Sequence, residues 1–240
     1  MSVEAERESS EEPVTDADSE RIETILSFWF QERGPSAPQI DRRMDVWFGE
    51  DAVFDHEIER QFADNVEAAS QGRLDHWAAV PRGRLALIIL LDQFRRNIYR
   101  GTKKAFELDK KALKLCVEGA MDKKDSGLSP IEKVFFYMPL QHSESRKVQA
   151  KSVALYTRLA EAVTPTYRET FETIAQFAEL HADIVETFGA SRIATCCSAG
   201  RTHPTKRSIS PPTALRISDR AVADPLYTGD RVPGLRAGRR

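Results

Sequence analysis

The sequence predicts an all-α fold, built of stacked antiparallel helix hairpins in a tetratricopeptide-like manner and containing no sheet. Apolar residues recur at three- and four-residue spacing almost throughout residues 21–189. Sustained two-residue alternation bounded by turn residues is missing. Connections between the helical stretches are short, which favours antiparallel neighbours. No fixed-period repeat is visible, so the stacking follows from helix lengths alone.

Taken in order, Glu20 to Phe30 forms the first helix, with Ile22, Ile25, Leu26 and Trp29 on one side and the Gly34-Pro35 and Pro38 region as its end. Phe54, Ile58, Phe62 and Val66 step by four along a second, which Gly72 stops. Pro81 opens a third through Leu85 to Leu91, apolar all round and so the buried central helix, ended by Gly101. Thr102 caps a fourth with Ala105, Phe106, Leu113, Cys116 and Val117, closed by Gly119 or the turn Asp125-Ser126-Gly127. Ser129-Pro130-Ile131-Glu132 is a capping box with proline at the first helical position, starting a fifth helix that ends near Pro139. A sixth runs from Ser143 to Ala162, and Thr164-Pro165 starts a seventh reaching Phe188. Its inner stripe is Phe171, Ile174, Ala178, His181, Val185 and Phe188.

Charge is balanced overall, with 35 basic and 37 acidic side chains, so no nucleic-acid or membrane partner is expected. Leu85 to Leu91 is far shorter than the roughly 18 apolar residues of a membrane span. The three cysteines have neither zinc nor disulfide spacing, which points to a reducing compartment and makes the cytoplasm the expected location. The balance hides a split: residues 1–189 carry −9 and residues 190–240 carry +7. Residues 1–20 hold eight acids and few apolar groups, and residues 190–240 lack Glu, Phe and Trp but hold five prolines. Both segments are expected to be disordered, which leaves residues 21–189 as the folded domain.

Three polar clusters interrupt apolar faces. Asp92 and Arg96, followed by Asn97, are four apart at the end of the central helix, either as a structural ion pair or as a guanidinium placed to hold a carboxylate or phosphate. Ser143 and Glu144 suit a helix N-cap and first turn, while the adjacent His142 could act as a general base. His181 falls on the inner stripe of the last helix, either as a hydrogen-bonded core residue or as a functional imidazole. A zinc site from His142, Glu144 and His181 lacks the ligand spacing of known motifs, and no metal or cofactor is expected. The residues alone therefore support a binding module for a small anionic ligand or acidic peptide, held through Asp92, Arg96, Asn97, His142, Glu144 and His181. The competing reading is a hydrolase with a histidine base, an orienting carboxylate and an arginine, and it requires those groups to line one cavity.

Several segments taken together carry a family resemblance: Phe28-Trp29-Phe30, Trp47-Phe48 before Phe54-Asp55, Leu90-Leu91-Asp92-Gln93-Phe94 before Arg96-Asn97, Ala105-Phe106 with Asp109, Met138-Pro139-Leu140 before His142-Ser143-Glu144, and Phe177-Ala178 with His181. From about Ile25 to Gly189 the chain resembles the domain-of-unknown-function 924 family. The resemblance implies a tetratricopeptide-like helical fold and brings no activity with it. Arg95 stands where the family pattern usually has proline, which removes a kink or adds charge beside Arg96.

The second departure follows Gly189. There the family pattern continues Arg-Phe-Pro-His-Arg-Asn-x-x-Leu-Gly-Arg, whereas this chain runs from Ala190 through Thr195 to Gly200 with no resemblance. Loss of one base after Gly189 would reconcile the two, because the first two bases of each printed codon would end the restored one. Ala190 supplies GC for arginine, Ser191 TC for phenylalanine, Arg192 CG for proline and Ile193 AT for histidine, and the remaining fixed letters fit likewise. Residues 190–240 thus read as an out-of-frame translation, with a genuine divergent tail as the alternative.

Overall fold

The computed structural model describes residues 12–188 apart from residue 33, and every regular element among them is helical. The expectations for residues 1–11 and 189–240 lie outside the described residues, as does the side chain of Phe188.

Helix α1 (Asp16–Phe30) starts ahead of the expected Glu20, so the boundary drawn at residue 20 falls inside it. The cause is local and tertiary together. Thr15 and Asp18 form a capping box, and Asp18 also accepts hydrogen bonds from Trp77 Nε1 at 2.8 Å and His76 Nε2 at 3.2 Å. Burial alone would raise the Asp18 carboxyl, but the bonds from Thr15, Trp77 and His76 hold it well below the usual carboxylate range.

The sequence predicts no helix between residues 31 and 51, yet α2 (Ala37–Phe48) lies there. Pro38 sits in its first turn, where a missing N–H costs nothing, and Ser36 with Gln39 forms a second capping box. This proline starts a helix rather than ending one. Helix α3 (Ala52–Ser70) is capped by Asp51, which accepts from the Val53 and Phe54 amides, and the chain leaves it through Gly72 at φ 81°. A 3₁₀ turn (Asp75–Ala79) then leads into the central rod.

That rod is α4 (Pro81–Ile88), a π-helical segment (Ile89–Phe94) and the short α5 (Arg95–Ile98). Each residue from Gly83 to Arg95 is buried, as the all-round apolar run predicts. The π segment was not expected. Its wider turn displaces the register at Asp92 and Gln93, and such single-turn π segments are frequent at functional sites. Where one capped helix was expected after Thr102, the chain makes a 3₁₀ turn (Lys103–Phe106) and then α6 (Asp109–Met121). Gly119 lies inside α6, where a Cβ would meet Arg84 Cδ at 2.4 Å and Phe136 Cζ at 2.7 Å. Close packing, not chain termination, explains that glycine.

Helix α7 (Pro130–Gln141) opens with the expected Ser129–Glu132 box and continues past Pro139 to Gln141. Helix α8 (Arg146–Ala162) starts after Ser145, three residues later than Ser143. Gln149 Nε2 fixes the intervening turn by donating to Gln141 O at 2.7 Å and Ser143 O at 2.6 Å. Helix α9 (Pro165–Phe188) packs along α8 and also against α2 and α7. Trp29, Trp47, Phe94 and Phe135 join the layers, with Trp47 and Phe135 ring centroids 4.9 Å apart. No helix among the described residues is long and apolar enough to cross a membrane.

Candidate functional site

Helices α2, α7 and α9, the central rod and the 3₁₀ turn holding Ala105 and Phe106 converge on one cavity of about 100 Å³. Helix α2 contributes Met44, Trp47 and Phe48, and the central rod contributes Gln93, Arg96, Asn97 and Arg100 at its end. Met138, Gln141 and His142 come from the end of α7, and Ile174, Phe177 and His181 from α9. Apolar and aromatic side chains thus wall a space whose floor is polar, the common composition of a small-molecule site.

Asp92 lies behind this floor at 0% exposure. Its Oδ1 accepts from His142 Nδ1 at 2.7 Å and faces Arg96 Nη2 at 3.5 Å, while the Gln93 amide donates to Oδ2. Burial favours the neutral acid, but the positive charge on His142 and Arg96 outweighs it, so the Asp92 carboxyl stays below its ordinary value. A carboxylate only accepts hydrogen bonds, so Nδ1 of His142 carries a proton. Nε2 is then the nitrogen of His142 left for the cavity.

His181 is fixed in the same sense by a different partner. Its Nδ1 lies 2.8 Å from Phe177 O, and a carbonyl accepts, so Nδ1 is protonated and Nε2 is a bare acceptor. Burial, the charge of His142 and that of Arg96 lower its pKa to about 4, against the raising effect of the Phe177 bond. The two imidazoles meet edge to face with centroids 6.4 Å apart. Neither Nε2 has a protein partner among the described residues.

Both cavity arginines are already engaged. Arg96 grips Asp109 with two parallel bonds of 3.0 Å, donates to Ala105 O and lies over the Phe106 ring. Arg100 holds Asp55 through bonds of 2.6 and 2.9 Å, and Asn97 Nδ2 donates to the same carboxylate at 2.7 Å. Around the cavity the carboxylates of Asp92, Asp109 and Asp55 stand against the guanidiniums of Arg96 and Arg100, so the floor offers no net positive field.

Of the residues singled out from sequence, Arg96, Asn97, His142 and His181 line this cavity and Asp92 supports it from behind. Glu144 does not join them: it is exposed in the α7–α8 turn, because the helix it was expected to open begins after Ser145. Asp109 and Asp55 fall among the motif residues, but their pairing with Arg96 and Arg100 spans 13 and 45 residues and leaves no local signal. Arg95 points away from the site, to Ser70 and Lys104 O and over Tyr99. The described residues contain no group of three or more His, Cys, Asp or Glu side chains able to hold a metal ion.

Fold and site together define an all-helical protein with a histidine-floored pocket. The chain belongs to the family described as bacterial protein of unknown function (DUF924), whose model matches residues 25–190. It is similar to a solved protein of unknown function from Agrobacterium tumefaciens, at 33% identity and a TM-score of 0.57, over 71% of this chain and 85% of that one. No curated protein matches it.

Proposed function

We propose that this protein binds a small amphipathic molecule in the cavity between α2, the central rod, α7 and α9, with the two imidazoles at its polar end. The observation that carries this reading is the convergence of His142 and His181 on one partly apolar cavity, with a fully buried carboxylate behind the first. Burying Asp92 costs several kcal/mol in effective terms before its partners compensate, a cost more readily explained at a working site than in a plain core. An anionic ligand, the expectation from sequence, is less favoured because Asp109 and Asp55 already pair with Arg96 and Arg100 as counter-charges.

A second reading is favoured by one detail. Asp92 bonds His142 at Nδ1, which orients Nε2 for general acid–base work on the bound molecule. None of the described lining residues is Ser, Thr or Cys, so a hydrolytic reaction there would use water activated by His142.

The test is a thermal-shift panel of small ring compounds bearing hydroxyl, carboxyl or amine groups, run on the intact chain and on His142→Gln. At least one class raises Tm in the first and not in the second, since a ligand stabilises only the state that binds it. Equal shifts in both proteins would remove the imidazoles from the site.

A further inference from the structure

The chemistry of the pocket restricts what it can take, and the following rests on the pocket reading above. His181 is 6% exposed, and its Nε2 is an acceptor because the bond from Nδ1 to Phe177 O sets the tautomer. A ligand atom placed against it must donate a hydrogen bond, because a second acceptor there would leave both unpaired. His142 Nε2 accepts when its ring is neutral and donates when it is charged. His142 lines the same cavity, its ring edge to face with that of His181 at a centroid distance of 6.4 Å. A hydroxyl meets the condition set by His181, donating to its Nε2 through the one proton it carries. A carboxylate cannot donate, and Arg96 and Arg100 already carry Asp109 and Asp55 as counter-charges.

The rest of the cavity wants the opposite character. Trp47, Phe48, Phe106 and Phe177 present ring faces and edges, and Met44 and Met138 adapt around them. A cavity of about 100 Å³ suits a single ring rather than a peptide terminus or a long chain.

We infer that the ligand class is an uncharged small ring compound carrying one hydroxyl, its ring between α2 and α9 and its hydroxyl donating to His181 Nε2.

The test uses phenol, toluene and benzoate as probes. Each is titrated into the full chain labelled with ¹⁵N, and the imidazole and Trp47 indole signals are followed. Phenol binds about tenfold more tightly than toluene or benzoate, the scale of one hydrogen bond whose absence leaves a buried acceptor unpaired. The preference disappears in His181→Leu and survives in His181→Gln, whose side-chain carbonyl still accepts. Equal binding of phenol and toluene overturns the hydroxyl assignment while leaving the pocket a site, and tighter benzoate binding overturns it in favour of anion capture. Failure of all three probes to move His142, His181 or Trp47 overturns the pocket reading itself. If His181→Leu does not fold, the ranking of the three probes on the unaltered chain decides.

Discussion

Lowering the pH from 7 to 5 destabilises this fold through His181. In the unfolded chain that ring takes up a proton near pH 6.5, whereas in the folded protein burial, His142 and Arg96 delay protonation to about 4. Between those values the unfolded state binds the extra proton, so stability falls as the pH falls and is fully present above 6.5. At about 1.4 kcal/mol per pH unit, the loss is about 2 kcal/mol by pH 5 and about 3 kcal/mol by pH 4. Asp18 and Asp92, held below the carboxylate range, lose their contributions only below about pH 4, outside this window. Urea unfolding at pH 7, 6 and 5 measures the effect, with His181→Gln as the comparison because it removes the titration and keeps His142 and Arg96. The variant loses about 2 kcal/mol less than the parent over this range. Parallel curves for the two proteins would refute the buried, neutral His181.

Other outcomes follow from the same contacts. Asp92→Asn removes the charge that pairs His142 and Arg96 and costs about 3 kcal/mol in chemical unfolding, as expected for breaking a buried pair. Asp109→Asn releases the Arg96 guanidinium toward the cavity and raises benzoate affinity, which calorimetry on the intact chain reads directly. Gly119→Ala drives a methyl into Arg84 and Phe136, so an overpacking cost of about 2 kcal/mol outweighs the roughly 1 kcal/mol that alanine gains over glycine in a helix, and Tm falls. Sequencing genomic DNA and transcript across the codons for His181 to Lys206 tests the frame: one added base restores the family's arginine- and histidine-bearing segment, and a confirmed printed frame makes residues 190–240 genuine.

The helices that sequence made legible were those whose signals are local. The Ser129–Glu132 box started α7 as read, and the α9 stripe placed Phe171, Ile174, Ala178 and His181 inward, where each is buried. Helix α2 was hidden because Pro38 reads equally as a breaker or a starter, and only the Ser36–Gln39 pairing tells them apart. With α2 went Met44, which sequence reading did not pick out, and the helical setting of Trp47 and Phe48, so much of the cavity's apolar wall was invisible. The π segment leaves no trace in apolar spacing, since every residue around it is buried. Asp92 with Arg96 was readable as a four-residue pair, but the contact of Asp92 with His142 joins residues 50 apart. Glu144 was misplaced for the opposite reason, as a plausible local cap that the chain does not use.

The most direct test of the central claim is the ¹⁵N spectrum of the imidazole rings at pH 7. Nδ1 of both His142 and His181 is expected to carry a proton, and the bare Nε2 of His181 to move when phenol is added. A proton on Nε2 of His181, or ring signals indifferent to every probe, would contradict it.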